Sequence, residues 1–162
     1  MYFGVISDTH GQISLVRQAV RKFQQWDVAR ILHCGDIGSV SVIPFFHGIP
    51  TDFVFGNCDI NRDELRDAIC DEGQTCHELF GHVEMDGKKI AFMHGDDSIR
   101  FEREFSSGEW DMLCYGHTHE SALWMGCEKT IVMNPGALYR VSTPSVAVVE
   151  LPTLNVKHVN IL

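Results

Sequence analysis

Five short apolar runs in this chain each end in a small polar cluster, and this repeated join constrains the fold more than any other feature. Residues 2–7 run into Asp8-Thr9-His10, and residues 30–34 into Gly35-Asp36. Residues 53–55 are followed by Gly56-Asn57-Cys58-Asp59, residues 89–93 by His94-Gly95, and residues 112–115 by Gly116-His117-Thr118-His119. Short apolar runs of this kind read as buried strands. Strands that each terminate in ligand-type side chains place those side chains together at one edge of a sheet.

The segments between the runs support a layered α/β chain. Residues 13–26 carry Ile13, Val16, Ala19, Val20 and Phe23 at helical spacing. Residues 40–46 suggest a short helix ended near Gly48 and Pro50, and residues 63–69 another. This β-α-β-α order predicts a parallel sheet covered by helices in the first half. In the second half, residues 76–85 and 89–93 flank Asp86-Gly87, a hairpin signal. Residues 98–105 look helical. Residues 122–125, 130–133, 146–151 and 156–162 read as further strands, so this half is expected to be largely antiparallel. No linker, repeat or low-complexity segment interrupts residues 1–162, which are read as one domain.

Composition narrows the functional classes. The formal net charge is −9, which disfavours a sequence-independent grip on long nucleic acid. It leaves room for a small phosphate-bearing substrate, because bound cations reverse the local field. The first residues lack the basic start of a secretion signal, and no apolar run approaches a membrane span of roughly 20 residues. A cytoplasmic protein without membrane contact is expected. The six cysteines (34, 58, 70, 76, 114 and 127) contain no C-x-x-C pair, so free thiols are expected rather than a cysteine-rich zinc site. Cys34 and Cys114 fit core packing, whereas Cys58 lies inside a polar cluster.

Asp8, His10, Asp36, Asn57, His94, His117 and His119 supply seven oxygen and nitrogen donors, enough for two metal ions. Strand side chains alternate, so where strand geometry persists Asp8 and His10 share one side, as do His117 and His119. Imidazole and carboxylate suit Mn, Fe, Zn, Co or Ni without any thiolate. Each cluster alone has an ordinary reading: Gly-Asp as a turn, Asp-x-His as an accident of sequence. Five in succession, each behind an apolar run, point to a metal centre. Two cations a few ångströms apart suit phosphoester hydrolysis.

The order Asp8-x-His10, Gly35-Asp36, Gly56-Asn57, His94-Gly95, Gly116-His117-x-His119 resembles the calcineurin-like metallophosphoesterase superfamily. The likeness runs from Asp8 to Asn134-Pro135-Gly136. With Gly56-Asn57-Cys58-Asp59 and the short length, it is similar to the small bacterial and archaeal phosphodiesterase branch, related to the Vps29-type fold. The resemblance implies a four-layer α/β/β/α sandwich with mixed sheets, parallel in the N-terminal half and antiparallel in the C-terminal half. It implies two divalent cations, with Mn expected first and Ni, Co, Zn, Fe or Mg as alternatives. Asp8, His10 and His119 would hold one and Asn57, His94 and His117 the other, with Asp36 bridging. A bridging hydroxide would attack a small phosphoester in line. Homodimers or homotetramers are common in the branch.

Two positions depart from the wider pattern. Cys58 stands where many relatives carry a histidine that assists the leaving group, and a thiol donates hydrogen bonds weakly. Ala137 follows Asn134-Pro135-Gly136 where serine is frequent. Asn57, Cys58 and Asp59 are therefore the candidate catalytic residues; Asp59 reads equally as the N-cap of the helix that follows. Tyr139 and Arg140 could reach substrate. His33 is expected to pack behind the site, His47, His77, His82 and His158 to be structural or exposed, and Asp96-Asp97 to cap a helix. Three competing functions remain: a phosphomonoesterase, a Vps29-like binding scaffold, and a metallo-β-lactamase-type hydrolase. Complete ligands argue against the scaffold. The third wants His-x-His-x-Asp-His, which residues 117–122 do not provide.

Overall fold

The protein is described by a computed structural model covering residues 1–162; the thiol expected at Cys127 lies outside the described side chains. Strand β1 (Tyr2–Ile6) and helix α1 (Ile13–Gln25) are followed by β2 (Val28–His33), a 3-10 segment (Val40–Phe46) and β3 (Thr51–Phe53). Then come α2 (Arg62–Asp71), β4 (Thr75–Cys76), β5 (Phe80–Met85), β6 (Lys88–Met93) and α3 (Ser98–Ser106). The chain closes with β7 (Met112–Cys114), β8 (Ser121–Met125), β9 (Ile131–Pro135), β10 (Ser145–Glu150) and β11 (Asn155–Asn160). Six strands form one sheet in the order β11-β10-β1-β2-β3-β4, and five form a second in the order β5-β6-β7-β9-β8.

Alternation along the strands explains why the sheets stack. In β1, Phe3 and Val5 point into the core between the sheets, while Ile6 and the partly buried Tyr2 join the core under the helices. Gly4 lies on that helix side, where a Cβ would come within 2.7 Å of Phe23 Cδ1. Its missing side chain lets α1 pack close, with Val16, Ala19, Val20 and Phe23 all buried. In β6, Ile90 and Phe92 meet the first sheet, whereas Ala91 and Met93 turn outward beneath Phe101 and Phe105 of α3. Helices, sheet, sheet and helix thus form the expected four layers.

Both sheets are mixed, and the second half is largely antiparallel as expected, with one exception. β1 to β4 pair in parallel, as anticipated. In the second half β7 is parallel to both β6 and β9, so this half is not simply antiparallel. The reason is that α3 crosses over between β6 and β7, and right-handed crossovers return parallel strands. The hairpin at Asp86-Gly87 is present, though its first strand starts at Phe80 because Thr75–Cys76 pairs with β3 in the other sheet. Among the described residues, Cys34, Cys58, Cys70, Cys76 and Cys114 are free. Among the described residues, no helix is long and apolar enough to cross a membrane.

Candidate metal centre

β1, β2 and β3 run parallel in one sheet and β6, β7 and β9 in the other. The five ligand clusters follow the C-terminal ends of β1, β2, β3, β6 and β7. Parallel strands direct their carboxyl ends the same way, which is where open α/β sheets bind ligands.

The loops after β1 and β2 are zipped together. Asp8 N–H donates to the Gly35 carbonyl at 3.0 Å, His10 N–H to the Asp36 carbonyl at 3.0 Å, and Gly11 N–H to the Ile37 carbonyl at 2.9 Å. Strand geometry does not persist into the ligands, contrary to the alternation expected for Asp8/His10 and His117/His119. Asp8 (φ 53°), His10 (φ 41°), Asp36 (φ 53°), His117 (φ 67°) and His119 (φ 63°) all adopt left-handed backbone. Such residues cost about 1–2 kcal/mol each and cluster where function demands a particular side-chain direction.

The side chains converge. Asp8 is fully buried. Its Oδ2 accepts from Ser7 Oγ–H at 2.6 Å and His117 N–H at 3.1 Å. Its Oδ1 lies 3.1 Å from His119 Nε2 and 3.9 Å from His10 Nε2. Asp36 accepts Cys58 N–H on Oδ1 at 2.9 Å, and its Oδ2 stands 3.4 Å from His10 Nε2 and 3.3 Å from His94 Nε2. His94 Nδ1 donates to the Cys34 carbonyl at 2.9 Å, so a lone pair remains on Nε2 facing the cluster. The His94 and His117 rings sit 5.1 Å apart. Asn57 lines the same cavity as His10, Asp36, His117 and His119.

Asp8 Oδ1, His10 Nε2 and His94 Nε2 are buried and have no hydrogen-bond partner among the described residues. Buried polar atoms left unpaired are costly, and three of them aimed at one space fit a cation. Donors of Asp8, His10 and His119, and of Asp8, Asp36 and His94, each group within 4.8 Å. Burial alone would push the Asp36 carboxyl up, but the neighbouring His94 and the Cys58 N–H hold it below the usual carboxylate range. The His94 imidazole, although burial opposes its charging, is raised by Asp36 and Asp8. The cluster is therefore a negative pocket that draws positive charge.

Behind the ligands lies a support that sequence reasoning only partly located. His33 is buried, as expected of a residue packed behind the site. Thr9 Oγ1–H donates to the Ile37 carbonyl and accepts from His33 Nε2 at 3.0 Å, while Gly35 N–H donates to His33 Nδ1 at 3.2 Å. Burial, then His94, lowers the His33 pKa to about 3, so this imidazole is neutral and its tautomer set. Asn134 Nδ2 donates to the Gly116 carbonyl at 2.8 Å and Thr118 Oγ1 at 3.1 Å, steadying the His117–His119 turn. Ser7 was not singled out from sequence; a hydroxyl next to a ligand aspartate was the available signal. Gly116 must lack a side chain, since a Cβ would lie 2.6 Å from Asp8 Oδ2.

The other candidates separate. Asp59 does not cap α2, whose N-cap is Asn61 with no side-chain bond. Its buried carboxylate instead accepts Gly56 N–H at 2.8 Å, Gly38 N–H at 3.0 Å and Ile37 N–H at 3.2 Å. It ties the Asp36 loop to the Asn57 loop, which leaves those oxygens occupied rather than available to a substrate. Cys58 is exposed beside Asp36, and slight burial followed by Asp36 pushes its thiol up. Asp97 caps α3 through Arg100 N–H at 3.0 Å. His77 bonds Asp52 at 2.7 Å and His158 the Asn134 carbonyl at 2.8 Å, both structural. Tyr139 packs its ring 4.6 Å from that of His10.

A two-sheet α/β/β/α sandwich with imidazoles and carboxylates gathered at its parallel-strand ends defines the metallohydrolase class of site. The chain belongs to the calcineurin-like phosphoesterase superfamily, whose domain its residues 1–154 match. It is 30% identical over 155 residues to phosphodiesterase MJ0936 of Methanocaldococcus jannaschii, covering 93% of each chain. The solved structure of an archaeal phosphodiesterase superposes with a TM-score of 0.91 at 28% identity, covering 99% of both chains. Zinc-bound Vps29 from Entamoeba histolytica shares the fold, with a TM-score of 0.64 at 15% identity and full coverage of both.

Proposed function

We propose that this chain is a metal-dependent phosphodiesterase that works with two divalent cations, manganese first among them. The carrying observation is the convergence of three buried, unpartnered donor atoms on Asp8, His10 and His94. Asp8, His10 and His119 would hold one cation, Asn57, His94 and His117 the other, and Asp36 would lie between them. The contacts of Asp36 Oδ2 with both His10 and His94 support the bridging role. Such cations, when bound, lower the pKa of water and offset charge building on a phosphoryl group. The protein supplies the rest: buried carboxylates that balance the cations, imidazoles held in one tautomer, and loops locked by Asp59 and His33. At a net charge of −9, the substrate is a small phosphoester rather than long nucleic acid.

Elemental analysis after purification with Mn or Ni tests the reading. About two ions per chain are expected from seven donors with one shared. A content near zero in saturating metal would remove the enzyme reading and favour the scaffold use of the fold.

Cys58 bears on the leaving group. No base among the described residues activates its thiol, which disfavours it as a nucleophile, and as a weak donor it assists departure little. Rates should therefore fall steeply as the leaving group becomes more basic. Cys58→His should accelerate poor leaving groups by up to about 10²-fold, the lower end of general-acid assistance. Cys58→Ser should change little. A Cys58→Ala protein that keeps its metal and loses all activity would contradict this account.

A further inference from the structure

The central cavity does not stand alone. It measures about 400 Å³ and adjoins a second of about 330 Å³, with which it shares Cys58. It also adjoins a third of about 460 Å³, sharing His119 and Arg140. A phosphomonoester sends one organic group away from phosphorus, whereas a diester sends two. Two further compartments, reached through different residues of the central one, suit the diester.

The flanking compartments differ in chemistry. The one beside Cys58 mixes Val40, Ile60 and Leu65 with Ser39, Asn61 and the carboxylates of Asp59 and Glu64. It suits a neutral group, because Asp59 and Glu64 repel a second anion. The one beyond Arg140 is lined by Thr118, Ser121, Ser142 and Thr143. The hydroxyls of Ser121, Ser142 and Thr143 make no hydrogen bond among the described residues, leaving donors and acceptors for a polyhydroxylated ligand.

Arg140 stands between this hydroxyl cleft and the centre. Its backbone is left-handed (φ 53°), and its guanidinium lies 5.1 Å over the Tyr139 ring, which itself packs on His10. No carboxylate comes within 4.0 Å of it among the described residues. An aromatic seat and a missing ion-pair partner leave the planar fork free for two non-bridging phosphoryl oxygens.

We propose that the substrate is a phosphodiester with two unlike arms, held by Arg140 at the phosphate, with a sugar-like alcohol in the Ser142–Thr143 cleft and a neutral group beside Cys58. This rests on the phosphodiesterase reading and specifies its substrate class.

The test uses the metal-loaded full chain with thymidine 5′-(4-nitrophenyl) phosphate, bis(4-nitrophenyl) phosphate and 4-nitrophenyl phosphate. All three release the same phenolate, so only the retained arm differs. The wild type is expected to show a KM for the sugar diester about 10-fold below that of the bis-aryl diester, worth the one or two hydrogen bonds the cleft adds. Arg140→Ala should raise KM for both diesters by about 10-fold or more, the value of a charge-assisted contact, with partial recovery in Arg140→Lys. The double change Ser142→Ala with Thr143→Val should erode the preference for the sugar diester by about 5-fold. Melting temperature and metal content of each variant show whether it is folded and loaded. Equal KM values for the two diesters, or an unmoved KM in folded, loaded Arg140→Ala, would overturn the proposal alone. A loaded wild type that cleaves none of the three esters would overturn the phosphodiesterase reading with it.

Discussion

Asp36→Asn should reduce turnover by at least about 10³-fold, since removing one preorganised electrostatic contact already costs about 10²–10³ and this carboxylate serves both halves of the site. Its Oδ2 faces His10 and His94 at 3.4 and 3.3 Å, and its Oδ1 takes the Cys58 N–H. The amide oxygen of an asparagine can still accept that N–H. Its amino group would then donate to the bare Nε2 atoms of His10 and His94, which are unpartnered in the native chain. The variant should thus fold at least as well as the metal-free wild type while its two imidazoles are blocked. Thermal unfolding with and without Mn makes the distinction. Added metal should raise the wild-type melting temperature by ligand linkage and leave that of Asp36→Asn nearly unmoved. A variant that binds two cations and keeps most of its activity would refute the bridging assignment.

Asp59→Ala should be the most destabilising change near the site, by about 3 kcal/mol or more, because each buried donor left unpaired costs about 1–3 kcal/mol. Three amide N–H groups, those of Ile37, Gly38 and Gly56, lose their acceptor at once. The effect should reach the metal residues, since Gly56 packs against Asp36: a Cβ there would lie 2.5 Å from the Asp36 nitrogen. Denaturant unfolding measures the loss, and metal affinity should fall with it. Full stability combined with lost activity would instead return Asp59 to a role in the chemistry.

These two residues also mark how far the sequence could be read. The strand order of the first half, the helical face of Val16, Ala19, Val20 and Phe23, and the family were legible, because each depends on periodicity or on motifs written in consecutive residues. The parallel setting of β7 was not, because strand direction depends on where α3 carries the chain. Asp59 illustrates the same limit: adjacent in sequence to Asn57 and Cys58, it resembled a catalytic or capping residue, yet its partners Ile37 and Gly38 lie about twenty positions earlier.

Sequence alone determined which side chains meet, since ligand-type residues at the ends of parallel strands have nowhere else to go than a shared edge. It also determined that the core is layered, through apolar runs that must be buried on both faces and helices with one apolar face. The tertiary structure decided how the ligands are aimed. Asp8, His10, Asp36, His117 and His119 leave strand geometry for left-handed backbone, a state uncommon outside glycine although Asp and His tolerate it better than most. Only hydrogen bonds between distant loops, such as His10 N–H to the Asp36 carbonyl and His117 N–H to Asp8, hold them there. The direction of a ligand is therefore set by residues as far as 109 positions away, which no local pattern encodes.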